Sequence, residues 1–403
     1  MSIPVYFWFP VLGSLGLGFI SMSAPPVADQ YMSMFGVGFS GLSVFLSAVF
    51  WTHAALQVPA GLLIDRLGAF RSFLACMAIC LIGSLGPLIR PDSLALAVAC
   101  RLILGASTAI MFLLFMTILK ILAPAHHAAR AQGLQGAAFC LGTMLPYLAL
   151  TRAGSAGWLA AYLSGAVFCL ILGACLFRLP RAALRASRAA TDAFQLRRAV
   201  TVIVNSRHFW FLGCCHGFSY GSLIAVGNWL PAILADTRAD SGIEAWGVAA
   251  GAILLTGTAG RVLSGEASRL MPRRKFISRV TLCIGALYAL LALAKSPLFV
   301  LLPAVALALL CGITYASILT LAIDMASPAY VATAVGFMNM LANGVNIMLI
   351  LALGNAREFF GGFGPGLALA ALGAAGICLW GRSIDRRTEE KALGDSPQGM
   401  DKA

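Results

Sequence analysis

Arg101 and Arg261 stand inside long apolar stretches of the sequence and are the residues with the clearest chemical potential. A guanidinium group stays charged, and its planar fork of donors matches a carboxylate. A charge in the hydrocarbon core costs at least about 2.5–3.5 kcal/mol on insertion scales, so such residues usually face a cavity or a partner. No acidic residue lies within one helical turn of either arginine. Both therefore favour a site for an anion; for Arg261, the structural alternative is pairing with Asp324 or Glu266, or extension to the membrane surface.

Polar side chains at helical spacing accompany the two arginines. Asn339, Asn343 and Asn346 form an i, i+4, i+7 stripe on one helix face. Amides in a membrane helix line a cavity or bond a neighbouring helix, and both interpretations stay open. We expect the substrate-binding residues to come from one group: Arg261, Arg101, Asn343, Asn339, Tyr220, His216 and His53.

A proton carrier is harder to identify, because no carboxylate is predicted at the membrane midplane. The candidates are His53, His216 and Asp29, the last near the end of a span. For His53 the alternative is a hydrogen-bonded core histidine. Cys214-Cys215-His216 resembles a metal cluster, but successive helical positions point in different directions, so we expect no metal and no cofactor.

The elements that must position these groups follow from the composition. Of the 403 residues, 60% are hydrophobic and 11% are charged, whereas soluble domains have about 45–50% apolar and about 25% charged residues. This excludes an ordinary soluble enzyme and a disordered chain. A membrane-spanning helix needs about 20 mostly apolar residues, and no stretch alternates as a barrel strand does. We expect an all-α membrane protein with twelve spans, near residues 5–27, 41–64, 72–89, 93–119, 131–151, 157–178, 208–234, 245–268, 276–294, 297–323, 331–354 and 364–381.

The net charge of +13 could suggest a nucleic-acid partner, but most of the 28 Lys and Arg residues fall in alternate loops. They cluster after the second, fourth, sixth and eighth predicted spans and in the C-terminal tail. Because basic loops stay in the cytoplasm, both termini are expected inside, in an inner or plasma membrane. The loop at 179–207 lacks the aromatic residues of a nucleic-acid surface. Contact with anionic lipid headgroups is favoured instead.

That loop also divides the chain into a bundle of six spans at 1–178, a second at 208–381 and a tail at 382–403. Aligning the halves places Gly61 opposite Gly265, each followed by a basic cluster at the end of its span. Parallel repeats of six spans are typical of transporters, which bind substrates near the midplane between the halves.

Two motifs resemble those of the major facilitator superfamily. Gly61-x-x-x-Asp65-Arg66-x-Gly68-x-x-Arg71 resembles its signature between the second and third helices. Arg101-x-x-x-Gly105 resembles its second motif, which implies a structural role or proton transfer as the alternative for Arg101. The resemblance covers about 5–381. It implies two six-helix bundles related by a pseudo-two-fold axis and secondary transport by rocker-switch alternating access. We expect a monomer; an ATP-driven pump or an enzyme is not expected, since the sequence has no Walker loop or other catalytic fingerprint.

The first motif also implies a gate formed by Asp65, Arg66, Gly68 and Arg71. A carboxylate and a guanidinium at helix ends can pair across two bundles in one conformation and separate in the other. The family implies that the opposing surface is the end of the eleventh helix. Replacing Asp65 with Asn is then expected to favour the inward-open state. The alternative is a solvated turn in which Gly68 supplies a positive φ.

The substrate class follows from a finer resemblance. The segment around Arg261 resembles the eighth helix of monocarboxylate and oxalate–formate carriers, where an arginine holds the substrate carboxylate, and Trp229-Leu230-Pro231 resembles the cyanate and nitroimidazole porters. This implies a small, monocarboxylate-like anion, with or without a coupled proton. Drug or metabolite efflux is the alternative, but Pro146 stands where the drug-antiporter signature requires glycine. A membrane scaffold or sensor predicts long extramembrane domains, whereas the predicted loops are short.

Overall fold

The computed structural model describes residues 7–122, 128–176, 193–237, 246–267, 271–326 and 331–394. Among these residues, eleven helices are long and apolar enough to cross a membrane, and Leu134–Ala149 adds a shorter apolar helix. A helix supplies hydrogen bonds to all of its interior backbone N–H and C=O groups from within the segment, whereas the hydrocarbon around it can supply none. Leu170, Val262 and Leu293 on the outer surface are 73%, 75% and 76% exposed. Such a surface fits lipid as the surrounding solvent.

We number the membrane helices α1 to α12 in chain order. Their bounds are α1 (Trp8–Ser21 and Ala28–Phe35), α2 (Phe39–Leu56 and Pro59–Leu67), α3 (Ala69–Leu85), α4 (Leu94–Leu122), α5 (Ala128–Ala149), α6 (Gly157–Leu176), α7 (Arg207–His216, Gly217–Gly221 and Ser222–Asp236), α8 (Gly247–Ala267), α9 (Arg273–Leu293), α10 (Pro297–Met325), α11 (Val331–Phe360) and α12 (Gly364–Gly394). A linker helix, Ala193–Val204, precedes α7. Each predicted span falls on one of the twelve, so the predicted all-α fold is confirmed, although α1, α11 and α12 extend past their predicted ends.

Three of these helices are interrupted. Pro25 and Pro26 lack backbone N–H groups, and a short 3-10 turn, Pro25–Val27, joins the two parts of α1. Pro59 begins the second part of α2 for the same reason. In α7 the turn widens into a π-helix over Gly217–Gly221. Such π turns are frequent at functional sites.

Two long helix contacts join the N half (α1–α6) to the C half (α7–α12). In one of them α2 packs along α11, and in the other α5 packs along α8. In a six-plus-six repeat, α2 corresponds to α8 and α5 corresponds to α11, so the two contacts are equivalents of each other. The space between the halves is therefore bordered by these four helices.

The halves are closed against each other at the far end, by which we mean the helix ends opposite the segment between α6 and α7. The backbone N–H of Phe39 donates to Glu358 Oε2 at 2.8 Å, which joins α2 to α11. The Tyr147 hydroxyl donates to the Gly227 carbonyl, which joins α5 to α7. The ring of Phe39 also lies 6.0 Å from that of Trp229. These contacts seal one end of the space between the halves.

Candidate functional site

A cavity with about 460 Å³ of empty space lies between the halves, on the linker side of the far-end contacts. On α11, the cavity residues Asn339 and Asn343 precede Glu358 by about four to five helical turns. Both halves line the cavity, the N half with His53, Gln57, Phe112, Gly136 and Phe139, and the C half with His216, Tyr220, Arg261, Tyr315, Asn339 and Asn343.

The cavity brings together most of the residues that the sequence predicts for substrate binding: Arg261, Asn343, Asn339, Tyr220, His216 and His53. Arg101 is not among the lining residues. Three aromatic walls, Phe112, Phe139 and Tyr315, had no signal in the sequence, because aromatic residues in apolar spans usually belong to helix packing.

Arg261 reaches the cavity because α8 and α10 approach closely. A Cβ at Gly260 would lie 2.5 Å from the Leu309 carbonyl oxygen, so the contact requires glycine. This approach places the Arg261 guanidinium 4.1 Å from the centre of the Tyr315 ring, a cation–π distance. Nη1 also donates to the Gly136 carbonyl of α5 at 3.5 Å, while the buried Nε has no partner. Arg261 thus touches both halves.

The charge of Arg261 is not neutralised by an acid within the described residues. Asp324 pairs with Arg273 at 2.6 Å, so it is engaged elsewhere. No carboxylate is among the described residues that line the cavity. The cavity consequently has one formal positive charge on its described walls and a guanidinium with unused donors.

His53 has partners on both ring nitrogens. Its Nδ1 lies 3.0 Å from Thr108 Oγ1, and its Nε2 lies 2.8 Å from Gln57 Nε2. Because the Thr108 hydroxyl donates to the Gly105 carbonyl, the hydrogen-bond network assigns the hydrogen to Nδ1 and leaves Nε2 as the acceptor. His53 is therefore held between α2 and α4 as a neutral ring.

His216 is 1% exposed, and its two ring nitrogens differ. Nε2 lies 3.4 Å from Asn339 Oδ1, and since that oxygen accepts, Nε2 bears the hydrogen. Nδ1 is buried without a partner. The ring stands 6.0 Å from that of Tyr220 and 5.9 Å from that of Tyr315. His216 is thus part of an aromatic wall beside Arg261.

The two cavity asparagines of α11 are linked. Asn343 Nδ2 donates to the backbone carbonyl of Asn339 at 2.9 Å, while Asn343 Oδ1 is buried without a partner. Asn346 continues the sequence stripe but does not line the cavity. Its backbone packs closely against Gly221 of α7, where a Cβ would lie 3.0 Å from the Asn346 nitrogen. The stripe therefore divides into two residues at the cavity and one against α7.

Arg101 lies inside the N half, between α4 and α2. It is 4% exposed. Its Nη2 donates to the Leu46 carbonyl at 3.3 Å, and its Cζ lies 4.8 Å from the centre of the Phe45 ring. Its Nε is buried without a partner. In this conformation Arg101 contacts packing elements of one half rather than the cavity.

The predicted gate is described only in part. Asp65 and Arg66 belong to the helix Pro59–Leu67, but their side chains lie outside the described residues, as do residues 327–330 before α11. Gly68 separates α2 from α3 with φ of 76°, a conformation that favours glycine. Arg71 is exposed. The gate therefore stays a prediction.

A polytopic helical protein whose two halves enclose a polar cavity has the architecture of a membrane transporter. The chain belongs to the Major Facilitator Superfamily, whose family model matches residues 11–350. A solved structure of similar fold is a mutant of the nucleoside transporter NupG, at a TM-score of 0.76, 13% identity and coverage of 94% of this chain and 100% of that chain. At this identity the likeness concerns the fold alone. No curated protein matches the sequence.

Proposed function

We propose that the protein is a secondary transporter of a small organic anion, which Arg261 binds in the cavity between the halves. The observation that carries the proposal is the uncompensated guanidinium: Arg261 lies among membrane helices, lines the cavity and has unused donors. An intramembrane charge is costly unless it is paired. A substrate carboxylate can supply the pairing, and its two oxygens suit the guanidinium fork.

The site disfavours the export of cationic drugs. Such a substrate needs an acidic partner, and the described lining offers Arg261 instead. A cation beside Arg261 would add like-charge repulsion in surroundings where screening is weak. Asn339 and Asn343 then serve as orienting groups. A coupled proton can bind His216 at Nδ1, which has no partner, whereas at His53 it would displace the Gln57 donor from Nε2.

The mechanism we propose is alternating access by rocking of the two halves. The contacts of Phe39 with Glu358 and of Tyr147 with Gly227 close the far end, and the cavity lies toward the linker end. The loop charges support a cytoplasmic location of the basic linker and both termini, and we accordingly assign the protein to the inner membrane and this conformation to an inward-facing state. Rocking then breaks the far-end contacts and closes the linker end.

The test compares two substitutions of equal chemistry at the two intramembrane arginines. The purified full chain is reconstituted in liposomes, and uptake of labelled lactate, formate and benzoate is measured after subtraction of protein-free vesicles. Arg261→Met should lower saturable uptake of the transported anion roughly 100-fold, because loss of a desolvated charge contact costs about 2–5 kcal/mol. Arg101→Met is the matched control and should retain uptake.

Two outcomes would overturn the proposal. One is saturable anion uptake that Arg261→Met leaves unchanged. The other is saturable uptake of uncharged uridine with no uptake of any anion, which would assign the cavity to neutral substrates.

A further inference from the structure

The walls and the unused polar atoms of the cavity define its ligand more closely than charge alone. Four of the lining residues are Phe or Tyr, and two more are histidines: Phe112, Phe139, Tyr220, Tyr315, His53 and His216. Flat walls favour flat ligands, since well-placed aromatic pairs add about 0.5–1.5 kcal/mol beyond the apolar area that they bury. A compact aliphatic acid would forgo this aromatic contribution.

Two of the three cavity amides, Asn343 and Gln57, leave an acceptor oxygen without a partner, whereas Asn339 uses its Oδ1 on His216. Asn343 donates its Nδ2 to the carbonyl of Asn339, which can only accept, so the orientation of the amide is set and Oδ1 remains without a partner. Gln57 likewise uses its Nε2 on His53 and leaves Oε1 without a partner. Asn343 and Gln57 are each 3% exposed. A buried acceptor without a partner costs about 1–3 kcal/mol, and a ligand N–H or O–H would remove that cost.

An ionised carboxylate has no hydrogen to donate. The Arg261 guanidinium, with its unpartnered Nε, can pair with the carboxylate of a ligand. Asn343 Oδ1 and Gln57 Oε1 can instead accept a hydrogen bond from a donor on the ligand. One ligand meets both demands if it has the two groups on a single flat frame. We propose that the transported anion is an aromatic or heteroaromatic carboxylate with a hydroxyl or N–H donor on its ring. This assignment rests on the proposed anion transport and names its substrate class.

The first test is a ligand series titrated calorimetrically into the purified full chain in detergent, which avoids leakage of weak acids through lipid. The probes are cyclohexanecarboxylate, benzoate, 3- and 4-hydroxybenzoate, and uridine. Benzoate should bind at least 5-fold more tightly than its saturated counterpart. One of the hydroxybenzoates should bind about 10-fold more tightly than benzoate, as expected for one hydrogen bond to an otherwise unpaired buried oxygen.

The second test locates the acceptor with a pair of substitutions on one helix. Asn343→Leu removes Oδ1 and should reduce the preference for the hydroxybenzoate over benzoate from about 10-fold to less than 2-fold. Asn346→Leu is the matched control, because Asn346 is also buried and unpartnered on α11 but does not line the cavity. It should keep the full preference. A loss of folded protein does not change the ratio of the hydroxybenzoate affinity to the benzoate affinity. The ligand series itself is measured on the wild-type protein.

The outcomes separate this inference from the proposed function. Binding of carboxylates with equal affinity for benzoate and cyclohexanecarboxylate, or with no gain from either hydroxyl, would reject the aromatic donor-bearing class and leave anion transport standing. Binding of uridine with no binding of any carboxylate would reject both. A preference for the hydroxybenzoate that survives in Asn343→Leu would reject Asn343 Oδ1 as the acceptor and leave Gln57 Oε1 as the remaining one.

Discussion

Arg101 and Arg261 share a sequence context, since each stands in an apolar helix with no acid within a helical turn, yet their surroundings in the fold differ. Arg101 is enclosed within the N half by the Phe45 ring and the Leu46 carbonyl. Arg261 lies between the halves, over Tyr315 of its own half and against Gly136 of the other. One arginine therefore connects helices of a single half, and the other lies where the two halves meet, which in the proposed mechanism rock against each other.

The difference shows that burial of a charge does not by itself identify a binding residue. A guanidinium within one bundle can donate hydrogen bonds to carbonyls and stack on ring faces, while the aliphatic part of its side chain packs against apolar neighbours. A guanidinium at the interface loses or changes its partners whenever the halves move. We infer that Arg101 stabilises the N half and that Arg261 binds the ligand, and three substitutions can break or sharpen this contrast.

The largest effect is expected for Arg101→Ala. Removal of a buried side chain between α2 and α4 leaves a cavity and should lower the free energy of unfolding by about 2–4 kcal/mol. Thermal unfolding in detergent should show a lower Tm for this variant, and ligand affinity in the folded fraction should stay within 2-fold of wild type. Arg101→Met, which restores most of the volume, should recover most of the stability. A wild-type Tm together with lost binding would instead make Arg101 a ligand residue.

A smaller effect is expected at Tyr315, which lies under the Arg261 guanidinium. Tyr315→Leu removes the ring and should weaken anion binding about 5-fold, because a cation–π contact contributes about 1 kcal/mol in partly desolvated sites. Calorimetric titration checks the affinity. Tyr315→Phe keeps the ring and serves as the control, which should remain close to wild type. Equal affinities of the Leu and wild-type proteins would mean that the ring does not orient Arg261.

The smallest effect is expected at the far end. Glu358→Ala removes the acceptor for the Phe39 N–H, a contact that exists in one state of the interface, and should raise the open population about 3-fold. The labelling rate of Ser40→Cys by a membrane-impermeant maleimide reports this opening, with the native cysteines setting the background. Because Ser40 itself donates to Asn355 Oδ1 at 2.6 Å, all rates are compared within the Ser40→Cys protein. Glu358→Gln retains an acceptor oxygen and should label slowly. Identical labelling rates in the two variants would mean that the hydrogen bond from Phe39 to Glu358 does not hold the far end closed.

Much of the fold was predictable because lipid leaves little choice. A run of about 20 apolar residues must form a helix in the membrane, and each predicted span does. The first predicted span ends at residue 27, just after Pro25-Pro26, whereas the structure resumes the helix there and continues it to Phe35. The break at Pro59 was not predicted, although proline has the same effect there. The π turn of α7 depends on its packing and has no sequence rule comparable to that of proline.

The lining of the cavity was predictable where polarity in lipid is costly. Arg261 and Asn343 were predicted because an unexplained charge or amide in a span calls for a cavity. Tyr315 and Phe139 were not, since an aromatic ring in an apolar helix looks the same whether it faces lipid, a neighbour or a ligand. Arg101 and Asn346 had the same signal as the cavity residues, and only the tertiary arrangement places them away from it.

The cavity walls are unequal, because the described positive charge belongs to the C half and the N half contributes neutral groups. In the proposed transporter, the C half selects for an anion through Arg261. The N half selects for the shape of the rest of the ligand. Changes at Phe112 or Phe139 can then select a ligand of another shape while the requirement for a carboxylate persists. A lineage of such carriers can diversify its substrates by altering one half and conserving the other.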